Sequence, residues 1–273
     1  LAVIYQVVTG LASWGLQNAA IGFGRKSCEG VTGACWSFVL SNWHLFLFGT
    51  YPYAERWRPM LAFGAVIVLG LATLSPRLRA NWWVRGLWLA SPVFILLMVR
   101  GLSVFNLRPV DSANWGGLML TLILATVGIV ASFPIGILLA LGRRSKKMPI
   151  IKALCVVYIE VIRGVPLITV LFMSSVVLPL FLPEGLNLDK VLRAQLGIVF
   201  FSAAYLAEVV RGGLQAIPRG QEEAAAAVGL NYWQTMGFIV LPQALRIMIP
   251  ALVSGAIGLF KDTSLVSIIG LID

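Results

Sequence analysis

Uncharged apolar stretches follow one another along almost the whole chain, separated by short clusters of charge. Residues 1–24, 59–76 and 115–141 carry no charge at all. Residues 86–105, 151–182, 194–211 and 244–272 are nearly as apolar. Crossing a ~30 Å hydrocarbon core as helix takes roughly 20 residues. The pattern therefore predicts an all-α, polytopic membrane protein with about seven helices. The first is expected to exit near Ile21, and Pro92 and Arg100 fall inside the third. No basic segment precedes residues 1–24, so a signal peptide is not indicated. The chain opens on Leu1 rather than Met and closes on Asp273 directly after an apolar run. Further residues at both ends are expected, with a truncated last helix. A polar link over 106–114 suggests a front part, 1–110, of extra helices and an extracytoplasmic loop, and a core, 111–273.

One polar stretch breaks the pattern between the sixth and seventh runs. Ile217-Pro218-Arg219-Gly220 should interrupt the chain. Gln221, Glu222 and Glu223 then fall in a first helical turn, where the helix dipole favours negative charge. Ala224 to Ala227 are the best helix formers, and Gly229 can end the helix in a left-handed conformation. A short helix near 221–230 is expected, with side chains small enough for another protein to approach its backbone. Helix physics alone equally allows an ordinary capped helix in a loop.

Composition narrows the class. Of 273 residues, 59% are hydrophobic and 12% charged, against ~25% charged for a soluble domain. The net charge of +10 is no sign of nucleic acid. The cations cluster beside apolar runs, as in loops obeying the positive-inside rule. Arg77, Arg79 and Arg85, then Arg143, Arg144, Lys146 and Lys147, lie on the cytoplasmic side together with the Glu223 loop. The first loop, Asp111 and residues 184–193 lie opposite. Arg25, Lys26, Arg56 and Arg58 make that first loop more basic than the rule prefers. Trp36, Trp43, Tyr51, Tyr53 and Trp57 suit a membrane interface. His44 and three scattered cysteines give no metal-site spacing, and no enzymatic constellation stands out. Cys28 and Cys35 could pair if their loop faces an oxidising compartment; two free thiols fit equally well.

Seven positions of the polar stretch carry a resemblance. Glu223, Ala224, Ala225, Gly229, Ile239, Leu241 and Pro242 resemble the "EAA" loop of ABC importer permeases, without a gap. The resemblance implies a cytoplasmic coupling helix, with Gly220, Gln221, Glu222, Glu223, Ala224, Ala225 and Gly229 docking into a groove on an ATP-hydrolysing subunit. From Trp115 onward the chain is similar to the polar amino-acid uptake branch of type I permeases. The supporting pieces are Gly117 to Leu122, Arg163-Gly164-Val165-Pro166-Leu167, Ala204 to Glu208 with Arg211-Gly212, Leu241-Pro242-Gln243-Ala244 and Lys261 to Leu265. Gly33-Ala34-Cys35-Trp36 and Trp57-Arg58-Pro59 are similar to the longer subunit of general L-amino-acid transporters. The resemblance implies a multi-pass protein of a bacterial inner membrane, in contact with lipid. It would pair with a second, different permease subunit, two ATPase subunits and an extracytoplasmic amino-acid-binding protein. No cofactor is expected on this chain; ATP and Mg belong to the partner ATPase.

Residues 247–272 would span about 38 Å as one helix, longer than a ~30 Å core. Lys261-Asp262-Thr263-Ser264 therefore falls within the membrane or at its outer edge, where ionisable groups are costly and usually functional. A helix break there is expected, with a Lys–Asp pair facing a water-lined cavity. An amino-acid zwitterion needs donors for its carboxylate and acceptors for its ammonium. Lys261 suits the first; Asp262, Thr263, Ser264 and Thr121 suit the second, Thr121 mainly through the family resemblance. Structural pairing of Lys261 and Asp262 with neighbouring helices stays open. Glu160 and Arg163, three apart on one face, are expected to pair structurally near the cytoplasmic gate, with a substrate role second. Tyr205 and Glu208 read first as helix-packing residues and second as ligand contacts. Competing readings are a secondary transporter driven by an ion gradient, with Glu160 or Asp262 carrying protons, a non-transporting scaffold, and the same class of permease for another polar solute.

Overall fold

A computed structural model describes residues 2–21, 28, 30, 32–79, 81–101, 107–145, 148–183 and 188–270, except the side chain of Arg79. The expectations on Arg25, Lys26, Lys146, Lys147 and residues 184–187 lie outside these. The described residues are helical almost throughout. Five stretches are long and apolar enough to cross a membrane: Tyr53–Leu74, Trp82–Arg100, Gly117–Arg144, Lys190–Gln215 and Tyr232–Ile269. The pair Pro149–Gly164 and Leu167–Phe181, bent by 107°, would make a sixth.

Two of the expected helices differ from this. The first is helical only over α1 (Ala2–Ala12) and a π-helical turn, Ser13–Gln17. None of the α1 residues is buried. The fifth, expected as one helix over 151–182, breaks into α8 (Pro149–Gly164) and α9 (Leu167–Phe172). Pro166 has no N–H to donate and crowds the residue before it, so Val165 is extended, at φ −108° and ψ 136°.

The front part contains α2 (Trp36–Ser41), α3 (Trp43–Phe48), α4 (Trp57–Leu74), the short α5 (Pro76–Arg79) and α6 (Trp82–Arg100). Its cysteines are joined: Cys28 and Cys35 form a disulfide with Cα atoms 5.7 Å apart. Backbone bonds from Ala34 N to Trp14 O and from Ala20 N to Ala34 O, both 2.9 Å, tie this loop to the end of α1. The indole of Trp36 donates to Gly15 O at 2.7 Å. Arg58, 1% exposed, is held 2.6 Å from Glu55 and donates to Arg108 O at 2.7 Å. One of the cations that made the outer loop look too basic is thus neutralised inside the protein. Gly101, at φ +76°, brings the chain past this guanidinium; a Cβ there would lie 2.4 Å from Arg108 O.

The core is built on α7 (Gly117–Arg144) and α10 (Lys190–Gln215). Asp189 caps α10 by accepting from Leu192 N at 2.7 Å. Small residues set the contact between the two helices, as is common in membranes. A Cβ on Gly128 would meet Ile198 at 2.9 Å, and one on Gly136 would meet Leu206 at 2.7 Å. Then come α11 (Arg219–Ala227), α12 (Tyr232–Gln234) with an Asn231/Gln234 capping box, a π-helical turn (Thr235–Val240) and α13 (Leu241–Asp262). Two apolar clusters fill the interior. One joins Ala62, Ile95 and Val99 of the front helices to Met119, Ile123 and Ile198, so packing runs across the 106–114 link. The other gathers Ala140, Ile159, Val210, Met236, Val240 and Ala244 towards the opposite end.

Gly128→Leu is expected to destabilise the α7–α10 contact by about 1–3 kcal/mol, as overpacking does. Gly70→Leu, whose Cβ meets nothing within 4 Å, should be tolerated. Thermal aggregation of the detergent-solubilised protein measures both.

Candidate functional site

Charge gathers where α7, α8 and α10 end or begin on one side. Arg143 and Arg144 stand in the last turn of α7, where cations complement the helix dipole. Arg143 Nη1 lies 2.9 Å from Glu160 Oε1 and 3.3 Å from Glu208 Oε2. Arg163 Nη1 lies 3.7 Å from the same Glu208 oxygen. Arg211 Nε donates to Glu208 Oε1 at 2.6 Å. Glu208 is therefore the centre of the group, its side chain 19% exposed and reached by three guanidiniums. The Glu160–Arg163 pair expected from their spacing does not form. Each side chain reaches a different neighbouring helix, which sequence separation along α8 does not register. The Tyr205 hydroxyl donates to Arg163 O at 3.4 Å, and its ring lies 5.6 Å from the Arg163 guanidinium.

The short helix α11 hangs from this group. Arg144 of α7 pairs with Glu222. Gln243 of α13 donates to Gln221 Oε1 at 3.1 Å. The helix begins at Arg219 and ends at Ala227, slightly earlier than the expected 221–230. Gly229, at φ +79°, closes it, with Gly229 N bonded to Ala226 O and Leu230 N to Ala225 O, both at 3.0 Å. Ala225 is 1% exposed, so its side chain seats α11 on its own chain and presents nothing to a partner. Gly220, Gln221, Glu223, Ala224 and Gly229 are exposed. Beside them Val228 is 74% and Trp233 67% exposed.

A cavity of about 490 Å³ lies between α7, α10 and α13. Its wall is mostly apolar, with Ser132, Ser202, Tyr205 and Asp262 as its polar groups. Tyr205 and Asp262 are thus brought to one space; Thr121, Lys261, Thr263, Ser264, Glu160, Arg163 and Glu208 are not part of its wall. The expected helix break at Lys261–Ser264 is absent. Helix α13 runs through Asp262 into a 3-10 helix, Thr263–Ile269. The Thr263 hydroxyl donates to Phe260 O at 2.7 Å and Ser264 to Lys261 O at 2.8 Å. Bonded to their own backbone, neither hydroxyl is presented to the cavity. Asp262 is half-buried and has no ion-pair partner among the described residues. Among these residues, no group of three or more His, Cys, Asp or Glu could hold a metal.

Ser132, Ser202, Arg143 and Arg144 were not singled out as site residues from the sequence. The serines sit in uniformly apolar runs, and the arginines read as ordinary positive-inside charge. Only the contact of α7 with α10 and α13 gives them partners.

Membrane-spanning helices around a polar-pointed cavity, tied by ion pairs to an exposed short helix, define a polytopic membrane permease. Residues 132–272 match the family of binding-protein-dependent transport system inner membrane components. The chain belongs to this family, and it is a multi-pass protein of the inner membrane. It is 48% identical over 277 residues to the inner membrane amino-acid ABC transporter permease protein YhdY of Escherichia coli (strain K12), covering 99% of this chain and 74% of the relative. It is 42% identical over 298 residues to the glutamate/glutamine/aspartate/asparagine transport system permease protein BztC of Rhodobacter capsulatus, covering 89% of this chain and 68% of the relative. A solved structure of an amino acid ABC transporter with histidines overlaps 56% of this chain and 69% of its own, at 34% identity and a TM-score of 0.49.

Arg144→Glu should lower substrate-stimulated ATP hydrolysis by the assembled transporter severalfold. The exchange Arg144→Glu with Glu222→Arg should restore most of it. An exposed pair contributes only ~0.2–1 kcal/mol to stability, so the melting temperature should hardly move in either variant.

Proposed function

We propose that this chain is the permease subunit of an ATP-driven importer of amino acids, and that substrate crosses through the cavity between α7, α10 and α13. The observation that carries the reading is the placement of one unpaired carboxylate, Asp262, among hydroxyls in an otherwise apolar chamber. Asp262 accepts from the substrate ammonium. The Ser202 hydroxyl donates to its carboxylate, while Ser132 and Tyr205, whose protons go to Ile129 O and Arg163 O, offer only acceptor lone pairs to the ammonium. The apolar wall accepts the side chain without strong preference, which suits a broad or polar range of amino acids. The likeness to relatives named as amino-acid permeases supports the same substrate class.

The assembly we propose contains a second, different permease subunit, two ATPase subunits and an extracytoplasmic amino-acid-binding protein. ATP and Mg are held by the ATPase; this chain does no hydrolysis. Its exposed α11, with Glu223, Ala224, Gly229, Val228 and Trp233, docks into the ATPase groove. Closure of the two ATPase subunits displaces α11. The Arg144–Glu222 pair passes that displacement to α7, and the adjacent Arg143 passes it to Glu160 and Glu208. The cytoplasmic ends of α7, α8 and α10 then part or close together. Lys261, Thr263, Ser264 and Thr121 lie outside the cavity wall and enter the path only if this motion turns them towards it.

Asp262→Asn should cut amino-acid uptake into proteoliposomes by at least about tenfold, since a hydrogen bond to a charged group is worth ~1.5–3 kcal/mol. Co-purification of the ATPase should persist. Uptake that continues without ATP, on an ion gradient alone, would instead establish a secondary transporter. Gly229→Val forces a branched side chain into positive φ, at a cost of about 1–3 kcal/mol. It should uncouple ATP hydrolysis from uptake.

A further inference from the structure

A second cavity, of about 390 Å³, opens where α7, α10 and α11 meet. Its wall carries four arginines, Arg143, Arg144, Arg211 and Arg219, and one carboxylate, Glu222. Ion pairs account for part of this charge. Glu160 and Glu208 take Arg143, Glu208 also takes Arg211, and Glu222 takes Arg144. Arg219 has no ion-pair partner among the described residues. With Arg163, which also reaches Glu208, five guanidiniums face three carboxylates, and Arg219 on the cavity wall has none of them within ion-pair distance.

Such an excess fits a particular chemistry. Guanidinium presents paired donors that match two phosphate oxygens at once. The cavity lies beside the last turn of α7, a helix of 28 residues, longer than the roughly 20 that a hydrocarbon core takes up. Basic pockets between helices on the cytoplasmic side are favourable places for anionic lipid headgroups.

We propose that this cavity is a binding site for a phosphate group, with Arg219 and Arg144 as its main ligands. The group is carried either by an anionic phospholipid of the inner leaflet or by free phosphate. The inference rests on the orientation that places α11 in the cytoplasm. Bound phosphate competes with Glu222 for Arg144. Occupancy thereby loosens the link between α11 and α7 and makes coupling respond to the anion.

The test uses the assembled transporter. In one arm it is extracted from bilayers of phosphatidylcholine with increasing phosphatidylglycerol, and retained phosphatidylglycerol is counted by native mass spectrometry. In the other its melting temperature is followed against inorganic phosphate, with chloride at matched ionic strength as reference. The wild type should respond in at least one arm. Arg219→Gln should shift half-saturation in that arm by about fivefold, the usual effect of one surface cation on anionic lipid. Arg219→Lys should keep most of the binding, and Lys152→Gln, elsewhere on the same side, should behave as wild type. A response in the lipid arm alone identifies the lipid as the source; a response in the phosphate arm alone identifies the free anion. No response in either arm, an unchanged Arg219→Gln, or an equal loss in Lys152→Gln overturns the proposal. Neither arm measures uptake, so an importer that fails to carry amino acids leaves the result standing.

Discussion

Glu208 is a carboxylate most of the way down a membrane helix, and it cannot remain there alone. An uncompensated charge beside hydrocarbon is expensive, whereas one surrounded by guanidiniums is tolerable. Arg143 from α7, Arg163 from α8 and Arg211 from its own helix supply that surrounding. The same requirement draws the last turn of α7, the end of α8 and the second half of α10 together. The next residue after Arg143, Arg144, holds Glu222 of α11, which Gln243 and the buried Ala225 also fasten to the bundle. A bundle packed mainly by apolar contact thereby acquires a polar knot.

The rest of the core is arranged to let that knot matter. Gly128 and Gly136 allow α7 and α10 to lie close along much of their length. Apolar packing in lipid gains little from burial, since lipid tails are as apolar as leucine, so close contact and polar bonds must hold the helices. The cavity forms at the side of this pair, where Gly255, Ala256 and Gly258 of α13 leave room. It is bounded by Tyr205, whose hydroxyl reaches Arg163. The chamber and the polar knot are thus one turn apart on α10, at Tyr205 and Glu208.

The front part has a different logic. Helices α4 and α6 pack on the start of α7 through Ala62, Ile95, Val99, Met119 and Ile123. Buried Arg58 fastens the link that follows α6 by binding Arg108 O and Glu55. The α1 segment stays outside this packing, held by the bonded cysteines and by backbone contacts around Ala34. Lipid or a partner must cover its apolar surface.

Much of this was readable along the chain. Long uncharged runs have one solution in a bilayer, because every backbone polar group must be satisfied within the segment, and that dictates helices. The short helix at Arg219–Ala227 and its ending at Gly229 followed from proline, alanine and glycine chemistry within a dozen residues. The bend at Pro166 was equally local and still escaped, since an apolar run reads the same through a kink as through a straight helix. The partners of Glu160, Arg163 and Arg144 could not be read, nor the burial of Ala225, nor the meeting of Asp262 with Ser132, Ser202 and Tyr205. Local sequence determines which segments are helical and where they stop, because those energies involve neighbours a few residues apart. Which face of each helix meets which other depends on packing between residues about 17 to 130 positions apart, from Arg143–Glu160 to Ser132–Asp262. That is decided only when all the helices compete for the same small volume.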